Sequence, residues 1–118
     1  MMKMSLAEKR EEYANLLSTS LAQAIAKLPK CDNVKRVSLF GSYAEGKADL
    51  FTDLDILIIV DTDKPFLERM KEVYALLALP VDADILCYTS EEFDRLKEKP
   101  FFRKILAEEI MLYEKKQD

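Results

Sequence analysis

The chain has 118 residues, a net charge of −4 and a pI near 5.0, with 49% hydrophobic and 34% charged residues. That composition belongs to a folded globular chain, one core over residues 1–118, and excludes a disordered one. The acidic balance excludes a global basic field for long nucleic acids, and the complete lack of histidine removes histidine acid–base chemistry and most zinc sites.

The first ten residues, MMKMSLAEKR, hold no apolar segment long enough for a signal peptide. Ser5-Leu6-Ala7-Glu8 has the spacing of a capping box and predicts a helix start. Tyr13, Leu16, Leu17, Leu21, Ala24, Ile25 and Leu28 recur at helical spacing as its apolar face, and Pro29 ends it. Asp32-Asn33 marks a turn, and Val34 to Phe40 reads as a strand broken by Gly41. Residues 43–49 read as a short helix or loop. Asp53 to Val60 is rich in β-branched residues and reads as a buried strand.

Pro65 lies near the start of a second helix, with Phe66, Met70, Val73, Tyr74 and Leu77 as its inward stripe and Pro80 as its stop. Val81 to Tyr88 reads as a third strand, and Thr89-Ser90-Glu91-Glu92 as a second capping box opening a third helix. Beyond Pro100 a segment begins as a helix with Phe102, Ile105 and Leu106 inward. Ile110 to Tyr113 fits either helix or a short edge strand. Cys31 and Cys87 have no partner spacing and read as reduced thiols, Cys87 as core filler in a strand. The apolar run Ile56 to Val60 is far too short to span a bilayer. The expectation is a soluble, cytoplasmic α/β protein, a small mixed sheet flanked by helices.

The chemistry concentrates in GSYAEGKADLFTDLDILIIV, residues 41–60, which also holds both glycines of the chain, Gly41 and Gly46. Residues two apart on a strand share a face and lie about 6.6–6.8 Å apart, so Asp53 and Asp55 project together. Leu54, Ile56, Ile58 and Val60 then take the opposite face, toward a core. Paired carboxylates suit a hard cation such as Mg²⁺. Two such ions can activate an attacking oxygen and stabilise a leaving phosphate. A third acid comes from the next strand, where Asp82 and Asp84 share a face, and spacing alone does not choose between them. Gly41-Ser42 offers close backbone approach to a phosphate, a hydroxyl donor, and the positive end of any helix starting there.

Gly41-Ser42, ten residues, then Asp53-Leu54-Asp55 resembles the signature of the minimal nucleotidyltransferases, a branch of the DNA polymerase β-like superfamily. Asp84 to Phe93 resembles that family's third-acid strand and following helix, and Phe101 to Glu114 its closing segment. The resemblance covers roughly residues 34–114. It implies the nucleotidyltransferase fold, with Gly41 and Ser42 on the triphosphate, Asp53 and Asp55 on two Mg²⁺ ions, and Asp84 as the third catalytic and metal-binding acid. In the family a basic residue often stands where this chain has Glu45, and a serine where it has Thr52.

The activity so implied is Mg²⁺-dependent transfer of AMP from ATP to a hydroxyl. Many such small proteins are antitoxins of helical HEPN ribonuclease toxins, in some cases adding AMP to a toxin tyrosine. The expected partners are a nucleoside triphosphate and a HEPN-type toxin, with no membrane and no strong nucleic-acid binding; homo-oligomerisation stays open. The competing reading is a non-catalytic antitoxin that neutralises its partner by complex formation. A small-molecule nucleotidyltransferase fits less well, because such enzymes usually carry an added helical domain for the acceptor.

Overall fold

The structure, a computed structural model, describes residues 3–116. Its elements in chain order are α1 (Leu6–Lys27), β1 (Val34–Phe40), α2 (Gly41–Ala44), β2 (Leu54–Val60), α3 (Phe66–Leu77), β3 (Ala83–Thr89), α4 (Ser90–Leu96), α5 (Pro100–Glu108) and β4 (Ile110–Glu114). Both capping boxes form. Ser5 Oγ accepts the Glu8 N–H at 3.1 Å and Glu8 accepts the Ser5 N–H at 3.3 Å. Thr89 and Glu92 exchange the same pair of bonds at the head of α4. Pro29 sits in a 3-10 turn, Leu28–Lys30, that ends α1. No helix among the described residues is long and apolar enough to cross a membrane.

The four strands form one mixed sheet in the order β3-β2-β1-β4. β2 and β3 run parallel, joined through α3, whereas β1 runs antiparallel to β2 and to β4. The closing residues Ile110–Glu114 are thus an edge strand. The reason lies in β1, which is buried on both faces along Val37, Ser38 and Leu39 and whose second edge needs a partner for its N–H and C=O groups. The opposite edge, on β3, is capped by a side chain: the Tyr74 hydroxyl donates to the Ala83 carbonyl and accepts the Ile85 N–H, both at 3.1 Å.

Helices cover both faces of the sheet. α1, the 3-10 turn after it and α3 bury Leu17, Ala24, Leu28 and Leu77 against Val37, Leu39, Leu54, Ile56, Ile58, Val60, Ile85 and Cys87. On the other face, α4 and α5 press Phe93 and Ile105 against Phe40, Leu57 and Ile59. The expectation of a single core face for β2 is therefore corrected. Leu57 and Ile59 follow Asp55 on the acids' own face and are buried there, so only the start of that face stays open. Two expected stripes also narrow. Leu16 and Ile25 on α1, and Phe66 and Tyr74 on α3, are partly exposed. Tyr74 serves the sheet edge, and Phe66 stacks on Tyr88 at 5.8 Å. Cys87 is fully buried, and burial pushes its thiol up to about 11, so it stays an inert filler.

Candidate functional site

The end of β1 and the starts of β2 and β3 meet at one end of the sheet. Phe40 pairs with Asp55, and Asp55 pairs with Asp84 on β3. The Gly41 bend, Asp55 and Asp84 therefore stand in a row across three adjacent strands. Gly41 has a φ of +75°, and a Cβ there would lie 2.1 Å from Asp55 Oδ2 and 2.9 Å from its Cγ. Only glycine meets both demands, the left-handed turn and the approach of a carboxylate onto the backbone.

Asp55 is half-buried and stands directly opposite Asp84 on the neighbouring strand. Burial first, then the charges of Asp84 and Asp53, push its pKa up from 3.8 to about 6. Asp53 precedes β2 and is half-buried; Asp84 is exposed. Asp82 lies before β3, exposed, and its carbonyl takes the Leu54 N–H at 3.1 Å. Of the two candidate third acids, then, Asp84 is the one paired with Asp55 across the strands.

Among the described residues no three acidic or thiol side chains converge into a complete metal cage. What converges is the Asp55–Asp84 pair, with the charge of Asp53 beside it. The donor set still fits a hard cation. Two carboxyl groups set opposite each other on neighbouring strands mark a place where positive charge is wanted, and Mg²⁺ is usually held by one or two carboxylates plus water and substrate phosphate.

A second layer fixes the approach to Asp53. The Tyr13 hydroxyl, on α1, donates to the Thr52 carbonyl at 2.9 Å. Burial, then the charges of Asp82 and Asp53, raise its pKa. Thr52 is buried; its Oγ1 accepts the Asp49 N–H at 3.0 Å and donates to Asp49 Oδ1 at 3.1 Å. Asp49 Oδ1 also accepts the Phe51 N–H at 2.9 Å, and this turn holds Phe51 out in solvent, 93% exposed. These bonds give Tyr13 and Asp49 roles beyond the apolar stripe and the loop expected of them. The signal was a hydroxyl in an otherwise apolar stripe and an Asp three residues before a Thr, a spacing that suits side-chain-to-backbone turns.

Beside the bend a cleft of about 450 Å³ opens between α2 and α5, lined by Gly41, Ser42, Glu45, Phe101, Lys104 and Glu108 among others. Ser42 is exposed there. Three polar side chains of the motif stretch and the loop after β2 have other surroundings. Tyr43 packs on the core, Lys47 lies 3.8 Å from Glu45, and Lys64 pairs with Glu72 beyond the far end of β2.

The pattern of the family described as "Nucleotidyltransferase domain" matches residues 19–113. Over 66 residues the chain is 38% identical to the "probable protein adenylyltransferase MntA" of Haemophilus influenzae, covering 52% of this chain and 58% of that protein. It therefore spans little more than half the length of that relative. A candidate nucleotidyltransferase from Sulfolobus solfataricus superposes with a TM-score of 0.54 at 20% identity, over 97% of this chain and 91% of the other. A mutant form of the toxin–antitoxin complex MntA–HpeT superposes with a TM-score of 0.50 at 17% identity, over 86% and 75%. These two structures share the fold. Carrying the family's pattern along most of its length and the family's sheet in its coordinates, the chain belongs to the nucleotidyltransferase-domain family.

Proposed function

We propose that the chain transfers AMP from Mg²⁺-bound ATP to a hydroxyl acceptor, and that it acts as an antitoxin by modifying a tyrosine of a HEPN-type toxin. The observation that carries this is the close approach of the Asp55 carboxyl, which stands opposite Asp84, to the Gly41 bend. It supports the reading because a glycine bend suited to a phosphate lies beside carboxyl groups suited to a cation, at an open end of the sheet. The relative named a protein adenylyltransferase and the fold shared with a toxin–antitoxin complex support the acceptor class.

In this reading the Gly41–Ser42 backbone and the Ser42 hydroxyl donate hydrogen bonds to the outer phosphates. Asp53 and Asp55 would hold Mg²⁺, with Asp84 completing the set; when bound, Mg²⁺ neutralises the phosphate charge that grows as pyrophosphate leaves. The acceptor oxygen bonds to the α-phosphorus as the bond to pyrophosphate breaks, and the hydroxyl proton passes to a carboxylate, Asp84 being the exposed member of the pair. Catalysis rests on positioning and electrostatics.

The test incubates the purified protein with α-labelled ATP, Mg²⁺ and a HEPN-type toxin, against the Asp53→Ala/Asp55→Ala variant. Label on the toxin only with intact acids is the expected result. The second reading, neutralisation by binding alone, is favoured by Glu45, which puts a negative charge in the cleft beside Ser42. Inhibition undiminished in the double variant, with no label transferred, would establish it.

Gly41→Ala gives a further check. The new methyl must displace the Asp55 carboxyl and hold a left-handed φ, a strain of about 1–2 kcal/mol. Label transfer should fall to near that of the double variant, whereas thermal unfolding should remain cooperative and shift by only a few degrees.

A further inference from the structure

We propose that Lys104, on α5, is the cation that grips the phosphates of the nucleotide entering the cleft beside Gly41–Ser42. The inference rests on the nucleotidyl-transfer reading and assigns that site a residue from outside the sequence motif. A bound triphosphate needs positive charge, and the bend itself supplies little. α2 is a single turn of four residues, too short to build an appreciable dipole, so the bend contributes only N–H groups and the Ser42 hydroxyl.

The residues lining the cleft hold one cation, Lys104, set against Glu45 and Glu108. Glu45 is already within 3.8 Å of Lys47. Among the described residues Lys104 forms no ion pair. Its ammonium, a point charge on a flexible four-carbon stem, is free to turn toward an incoming anion. The rest of the cleft suits the remainder of a nucleotide. Phe101, half-exposed, packs edge-on against Phe40 at 6.4 Å and gives the cleft an apolar aromatic wall over Ile105. The chain thus brings its phosphate-binding charge from α5 across the cleft, whereas the motif loop puts an acid at the same place.

The test is calorimetric binding of Mg²⁺-ATP, and of adenosine as a probe without phosphates, to the full chain and to two variants. Lys104→Ala should weaken Mg²⁺-ATP about tenfold, the loss of one charge-assisted contact, and leave adenosine binding and the melting temperature unchanged. Adding Glu45→Lys to that variant should restore Mg²⁺-ATP affinity, because the new ammonium enters the same cleft. Affinity for Mg²⁺-ATP within twofold of wild type in Lys104→Ala overturns the proposal, as does an equal loss for ATP and adenosine. A wild-type chain that binds no Mg²⁺-ATP removes the nucleotide site itself, and this role with it.

Discussion

Asp55→Asn is expected to cut AMP transfer by on the order of 10³-fold while raising the melting temperature of the metal-free protein. The two effects have one cause. Asp55 is crowded by the Gly41 backbone, by the Asp84 carboxyl and by the charge of Asp53. Near neutral pH these negative groups repel one another in the folded state and are far apart in the unfolded chain. An amide has nearly the same shape, removes a charge, and donates to Asp84. It should therefore relax the fold and leave the site a poorer metal ligand, a familiar trade between activity and stability.

The pH dependence follows in sign from the raised pKa of Asp55. A carboxyl that holds its proton more tightly when folded contributes its stabilisation fully below the unfolded value of 3.8 and loses it as pH climbs through about 6. The metal-free protein should lose melting temperature across that window through this group, and the Asn variant should not. Added Mg²⁺ needs the ionised carboxylate, so it should raise the melting temperature at pH 7 and have little effect at pH 4.5. A melting temperature equal for both proteins across the window, with or without Mg²⁺, would show that Asp55 senses neither its neighbours nor the cation.

The parts of the molecule visible in the sequence are those set by short-range rules. Ser5 with Glu8, and Thr89 with Glu92, cap their helices because the geometry needs only residues three apart. Asp53 and Asp55 were readable as a pair because strand side chains alternate. What stayed hidden depends on packing between distant segments. In the continuous run from Ile56 to Val60, alternation cannot distinguish one covered face from two; α4 and α5 decide that. The tail beyond Glu109 became a strand because β1 needed an edge partner, a demand made some 70 residues upstream. Asp84 and Asp82 share a face by spacing, and only the register of β2 against β3 sets Asp84 opposite Asp55. Lys104 is one of many lysines until α5 is laid against the Gly41 bend.

Arg69 was equally silent, since an arginine in an amphipathic helix reads as its wet side, yet it is only 6% exposed. Its Nε and Nη2 donate to the Lys64 carbonyl at 3.2 and 2.8 Å, and its Nη1 donates to the Cys87 carbonyl at 3.3 Å and to Glu92. The guanidinium also lies over the Phe66 ring at 5.9 Å. One side chain thus joins the loop before α3, the middle of β3 and the cap of α4. Arg69→Ala would strand the Cys87 carbonyl and deprive Glu92 of its buried partner, at a cost of about 3 kcal/mol, the low end for a broken buried pair because Glu92 is partly exposed. For a chain of this size that is a fall of roughly 10–15 °C in melting temperature. Lysine should not rescue it, because one ammonium cannot reproduce the fork. The acid side of the stability curve should change as well. Hydrogen bonding from Arg69 is the main cause holding the Glu92 pKa below the usual range, so that stabilisation is present at neutral pH and is lost as pH falls through the depressed value. The alanine variant should be flatter there. Below its melting temperature it should still transfer AMP, because Arg69 bonds toward the far ends of β2 and β3, away from Asp55. A shift of under about 3 °C would mean that packing alone holds α3 and α4 in place.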